Sequence, residues 1–364
     1  MTTESFVDGP DRLRSDILRI CSRLLESTDL TIDDDFFDKG GDSLLATELM
    51  LELRQLTGKA LPDSLLFESS TVRSLAKRLS EKEAPRPNMA VRVGPVSDGA
   101  APLLFFHGDW SWGGFYVEHL ARKLGSGISL IAIAPHGAGG EPIPPSIEEM
   151  AADRLPAILE AQPTGPYRLA GHCVGGIVAL ETARLLMKLN HRVETVVMID
   201  SPVMMNGGAL KAPAFGATER VEAPDDIPIR PATPFGLAFE LYTERLATYS
   251  PTPLSVRLLV LASEYDGRDW VRLSKDAHLL EIPGDHFDLV TVRINELASR
   301  LRSWLSGDIS AGLGESHPPT GAEGHETSRA RMRNRESEEF QTPQIGPSNS
   351  LSRRLRSFLN YARR

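Results

Sequence analysis

The chain has 364 residues, of which 41% are hydrophobic and 24% charged, and its formal net charge is −9. That length accommodates two or three domains, and the acidic balance excludes a dedicated nucleic-acid binder. No run approaches the apolar length that spans a bilayer. The N-terminus lacks an apolar signal core. The only cysteines, Cys21 and Cys173, make no disulfide framework, which points to a reducing, cytoplasmic setting.

Residues 11–82 read as a small helical bundle. Leu13, Ile17, Ile20, Cys21 and Leu24 recur at helical spacing and form one apolar face. Leu44, Leu45, Leu49, Leu53 and Leu56 form a second, and Val72, Leu75, Ala76 and Leu79 a third, with Ser70 or Thr71 as N-cap. Between the first two faces lies a polar, acidic loop with an aromatic plug, Phe36–Phe37. It ends in "FFDKGGDSLLATEL", from Phe36 to Leu49. Asp42 is positioned to cap the helix that Ser43 opens. A hydroxyl at such a helix start is well placed to carry an anion, because backbone N–H groups and the helix dipole favour one there.

An isolated Gly-Asp-Ser would be only a helix start beside a turn. The whole segment, however, resembles the acyl or peptidyl carrier domains of nonribosomal peptide and polyketide synthases, whose hallmark is a phenylalanine-rich loop leading to Gly-Gly-Asp-Ser-Leu. The resemblance implies an all-α four-helix bundle. It also implies that Ser43 holds a covalent 4'-phosphopantetheine arm, attached by a phosphopantetheinyl transferase, whose thiol carries an acyl group. Lys39 stands where that family often has leucine.

Residues 83–100, with Pro85 and Pro87, read as a linker and first-strand region. An α/β rhythm follows. Short apolar runs at 103–108, 128–135, 167–172, 193–200, 256–263 and 278–283 alternate with helical patterns at 115–124, 147–161 and 175–189. This predicts a largely parallel sheet with helices on both faces. The Pro-rich stretch of about 203–250 interrupts the rhythm and is expected to form a lid, with a short helix near its end.

"LAGHCVGGIVAL" (169–180) sets Cys173 between Gly171 and Gly175, at a strand-to-helix turn. This is the pattern of a nucleophile elbow, with cysteine where serine is usual. A helix N-terminus favours a thiolate, and the backbone N–H of Val174 is a candidate oxyanion donor. A buried structural cysteine is the bland alternative. A nucleophile needs a base and an orienting acid. His286, in "EIPGDHFDLV", follows a short strand and precedes the last helix. His107 and His172 flank strand ends and are expected to line the site. His119, His136, His191, His278, His317 and His325 read as surface or loop residues. Two acids compete: Asp200, ending the strand at 193–200, and Asp266, after the next one.

Residues 89–306 resemble the α/β-hydrolase thioesterase domains that terminate such assembly lines, on the strength of "LLFFHG", "SIEEMAADRL", "QPTGPYRLAGHCVGG", "IDSP" and "GDHF". That resemblance favours Asp200 as the acid, makes His286 the base, and gives the oxyanion hole the backbone of Val174 and of Asp109. Cysteine at 173 departs from the common serine pattern. Trp110 and Trp112 suit either contact with an acyl chain or packing under the lid.

Residues 307–348 have the composition of a disordered linker, and 349–364 read as a basic amphipathic helix fit to dock on a partner synthase or to lie on an anionic membrane. The expected protein is a multidomain carrier–thioesterase. Separate enzymes load it in trans, and acyl or peptidyl thioester is released through Cys173 by hydrolysis, cyclisation or aminolysis. The rival functions are an editing thioesterase acting on other carriers and a non-catalytic docking protein.

Overall fold

A computed structural model describes residues 9–83, 85–95, 100–108, 114–138, 141–202 and 234–307. The lid up to residue 233, the linker and basic helix from 308 onward, Asp109, Trp110, Trp112, His317 and His325 lie outside the described residues.

The N-terminal portion consists of helices α1 (Gly9–Leu24), α2 (Ser43–Thr57), α3 (Ser64–Glu68) and α4 (Val72–Ser80). Their boundaries follow from local chemistry. Asp42, in extended backbone, caps α2 by accepting from the Leu45 N–H, and Gly58 ends it at φ 65°, a left-handed conformation that glycine adopts without strain. Thr71 and Ser74 form a reciprocal capping box at the start of α4. Ile17, Leu49, Leu53, Leu65, Leu66 and Leu75 are buried together in the bundle's core, with Phe36 and Phe37 packed among them. The acidic loop is bent by Asp35, whose Oδ1 accepts from the N–H groups of Phe37 and Asp38 at 2.9 Å each.

The second portion is a seven-stranded mixed sheet. The strands are β1 (Ala90–Val93), β2 (Leu103–Phe106), β3 (Leu130–Ile133), β4 (Tyr167–His172), β5 (Val193–Ile199), β6 (Arg257–Ala262) and β7 (Ala277–Glu281). They lie in the order β1-β3-β2-β4-β5-β6-β7. Only β1 runs antiparallel, against β3. The central strands are apolar on both faces because both are covered. On one face α6 (Ile147–Ala161) and α7 (Val174–Lys188) pack together over Leu104, Leu169, Val196 and Leu258. On the other, α5 (Tyr116–Leu124) packs against α9 (Ile294–Ser306) over Leu103, Phe105, Val197 and Leu259.

The strand order reverses beside β4: β2 and β3 lie on one side of it, β5 to β7 on the other. A crevice at the carboxyl ends of the strands is expected at such a switch point, and β4 ends there in His172 and Cys173. Between β5 and β6, α8 (Pro234–Thr248) crosses back over the domain. It is anchored by Tyr242, whose hydroxyl accepts from the His136 N–H at 2.9 Å, and by Tyr249, whose hydroxyl donates to Glu181 Oε1 at 2.5 Å. His136, read from the sequence as a surface or loop residue, lies in the loop after β3; it is 1% exposed, because α8 covers that loop, and it bonds Asp153 through Nε2 at 2.9 Å. Among the described residues no helix is long and apolar enough to cross a membrane.

Candidate active site

Cys173 sits between β4 and α7 with φ 58° and ψ −135°, a conformation that is strained for any residue with a side chain. The turn is held tightly. The Cys173 N–H donates to the Ile199 carbonyl at 2.9 Å and its carbonyl accepts from Gly176 N–H at 3.1 Å. The neighbouring glycines are required by space. A Cβ on Gly171 would lie 2.4 Å from the Gly175 backbone, and one on Gly175 would lie 2.1 Å from the Phe106 carbonyl oxygen. The elbow is thus wedged between β2 and β4, and the strain is supported by backbone on both sides.

His286 follows β7, before a 3-10 turn at Asp288–Val290. It is 2% exposed, and its Nδ1 donates to Asp200 Oδ2 at 2.6 Å. Cys173 lies within electrostatic reach of its ring. Asp200 ends β5 at φ 42° and is 1% exposed. Its second oxygen, Oδ1, accepts from the N–H groups of Ser263 at 2.8 Å and Tyr265 at 3.0 Å. The carboxylate therefore has a partner on each oxygen, as a buried charge requires. Burial alone would strip the proton from His286. The bond to Asp200 and the interactions with Asp200 and Cys173 outweigh burial and push its pKa up to about 10.

Asp266, the rival acid, is directed elsewhere. Its Oδ1 accepts from Arg268 N–H at 3.0 Å, and its side chain is 67% exposed, which makes it a turn residue.

Two histidines lie beside His286. His172 stacks on His286, with ring centroids 4.4 Å apart and planes at 24°. Its Nε2 donates to the His286 carbonyl at 3.2 Å, which leaves Nδ1 to accept from the Tyr116 hydroxyl at 3.4 Å. Burial, and then the charge on His286, hold His172 well below the ordinary histidine value, so it stays neutral beside its protonated neighbour. His107, after β2, is buried with Gly114 against its ring. With Val174 and Tyr242 it lines a small apolar cleft behind the elbow. The main chain at Gly108 closes on Cys173, since a Cβ there would lie 2.9 Å from Cys173 Cβ. The next residue, Asp109, is outside the described residues. Val174 begins α7.

Sequence reasoning missed Tyr116, Tyr265 and Glu264. Tyr265 sets its ring edge toward His286 at 5.5 Å, and Glu264 Oε2 accepts from the His286 N–H at 3.3 Å. "ASEYDG" carried the signal, but Asp266 drew attention away from its neighbours.

In the bundle, Ser43 is the first residue of α2 and half-buried, so its hydroxyl is reachable. The open first turn of α2 suits a phosphodiester.

Residues 15–79 match the family model described as a phosphopantetheine attachment site, and residues 102–219 match the thioesterase domain. The chain carries a carrier domain and a thioesterase domain. The carrier's cofactor is a covalently attached 4'-phosphopantetheine. Indigoidine synthase of Streptomyces lavendulae is 32% identical over 197 residues, which is 53% of this chain and 15% of that protein. A dimodular nonribosomal peptide synthase of Bacillus subtilis (strain 168) is 35% identical over 200 residues, 53% of this chain and 8% of that protein. The holo form of a four-domain nonribosomal peptide synthetase bound to AMP and glycine is similar in fold. It has a TM-score of 0.52 at 24% identity and covers 84% of this chain and 27% of that one. The chain therefore spans a small part of the length of the synthases that it matches.

Proposed function

We propose that the chain is a carrier–thioesterase unit of a nonribosomal-peptide or polyketide-type assembly line, in which Ser43 bears the arm and Cys173 removes the acyl group. The observation that carries the reading is His286, bonded to Asp200 at 2.6 Å and within electrostatic reach of Cys173 at the strand switch point. The arm supplies a thiol that presents the acyl group as a thioester.

Cys173 Sγ, whose proton His286 already holds, attacks the thioester carbonyl. The developing oxyanion faces the N–H of Val174 and the backbone after Gly108, which the resemblance assigns to Asp109. When the carbon–sulfur bond to the leaving thiol breaks, His286 returns the proton to that thiol. The acyl group then sits on Cys173. Water, or an amine or hydroxyl of the acyl chain itself, attacks next. His286 takes that nucleophile's proton and keeps it as the Cys173 sulfur departs as an anion, which restores the starting pair and balances the protons over the cycle. Asp200 holds the imidazole in register and stabilises its charge throughout.

Because the enzyme-bound ester is itself a thioester, it retains acylating power that an oxoester would lose. This favours cyclisation or aminolysis, with hydrolysis as the default. A Cys173→Ser variant is expected to shift products toward hydrolysis, and an unchanged product ratio would contradict that assignment. A phosphopantetheinyl transferase arms Ser43, and enzymes in trans load it. Intact-protein mass spectrometry of the chain incubated with such a transferase and coenzyme A tests the first half. A mass gain of one arm that Ser43→Ala abolishes is expected, and a gain that persists in Ser43→Ala would move the attachment elsewhere.

A further inference from the structure

We infer that α5 is the surface on which the thioesterase domain reads its carrier, with Phe115 as apolar anchor and Arg122 as charge selector. The inference rests on the carrier–thioesterase function proposed above. Phe115 immediately precedes α5 yet packs into the bundle's core cluster and is 1% exposed. Its ring centroid lies 5.1 Å from that of Phe67 and 6.5 Å from that of Phe37. Two turns along, Arg122 is held on its own helix by Glu118 Oε1 at 3.0 Å. From there it reaches Asp35 Oδ1 at 3.2 Å, bonds Asp38, and sets its guanidinium 5.8 Å over the Phe37 ring. The partner it fits is an acidic loop with an aromatic between two aspartates, as in residues 35–38.

The loop is shaped without Arg122, since Asp35 bends it through its own backbone bonds and accepts from Ser70. The arginine therefore adds recognition to a surface that already exists. The same face of α5 extends to the arm. His119, one turn before Lys123, lies within the field of Asp42, the residue that caps the helix opened by Ser43. At its other end α5 supports the base, because Tyr116 bonds His172, which stacks on His286. One nine-residue helix thus touches the carrier and the support of the base. A carrier whose loop is neutral or basic would lose the Arg122 contacts and would be discharged more slowly.

The test uses the full chain with an acyl group installed on the Ser43 arm from an acyl-coenzyme A. Two rates are compared: discharge of the carrier-bound group, and turnover of the free N-acetylcysteamine thioester of the same acyl group. Arg122→Glu faces two aspartates and is expected to lower the ratio of the first rate to the second about tenfold. Adding Asp38→Arg to Arg122→Glu is expected to recover most of that ratio. A constant ratio, whether both rates hold or both fall together, would overturn the selector role, as would a double variant no better than Arg122→Glu. Docking is read separately by amide hydrogen exchange in the Cys173→Ala chain. There Arg122→Glu is expected to deprotect residues 35–42 and 115–124 together, and unchanged protection of both would overturn the docking surface. If those segments respond together while the unsubstituted chain discharges neither thioester, the docking surface stands and the function proposed above is what fails.

Discussion

His286 is buried, yet its bond to Asp200 and its interaction with Cys173 keep it protonated well above neutrality. Its folded value is raised, so the stability it contributes is fully present below the ordinary histidine pKa and is lost as pH rises through about 10. In the proposed mechanism the same loss removes the proton that the leaving thiol takes up. Turnover is therefore expected to fall as pH approaches 10. Asp200→Asn removes the anion that raises His286, and the alkaline limb of the kcat/KM profile should move to lower pH. A limb that stays in place would assign that titration to another group. The same variant should cost about 10⁴ in rate, since a wrongly oriented base is nearly as harmful as a missing one. His172→Phe keeps a ring in the stack but loses the bond to the His286 carbonyl. It is expected to lower kcat with little change in KM, as measured by steady-state kinetics on a free thioester. At this scale the sequence was informative where chemistry is written into short motifs. Cys173, His286 and Asp200 each stood in one. His172 stood in the same motif as the nucleophile, but its stacking on a residue 114 positions away has no local signature.

The elbow is the element that fixes this geometry. Gly175 has room for no side chain, since a Cβ would meet the Phe106 carbonyl oxygen at 2.1 Å. Gly175→Ala is expected to destabilise the domain by about 3 kcal/mol, read by denaturant unfolding, because the backbone must move away from β2. The end of α8 offers a gentler test. Tyr249→Phe removes the hydroxyl that donates to buried Glu181, whose other partner is Arg184. About 1–2 kcal/mol of stability should be lost, and a neutral effect in denaturant unfolding would show that Arg184 alone satisfies the carboxylate. Helix ends in the bundle were legible because caps are local: Asp42 and Thr71 cap as their sequence positions suggest. β1 was less legible. Four residues, AVRV, pair antiparallel with β3 at the sheet edge, and so short a run is not distinguished from linker by periodicity.

Across the whole molecule, the division into a helical bundle and a covered sheet follows from two hydrophobic periods in the sequence, 3.6 residues at 11–82 and short buried runs from 103 onward. What the periods do not carry is how the two parts meet. Arg122 reaches Asp35 across 87 positions, and Phe115 reads locally as the first residue of an ordinary helix. Docking of this kind is decided by side chains that find each other only after both parts have folded. The account as a whole rests on the acyl group leaving the Ser43 arm for Cys173. The measurement that tests it most directly is rapid-quench peptide mass spectrometry of the chain loaded with an acyl group on Ser43. The account predicts that the acyl mass moves from the Ser43 peptide to the Cys173 peptide before product appears, and that in Cys173→Ala it remains on Ser43. Discharge from Cys173→Ala at the unsubstituted rate would contradict it.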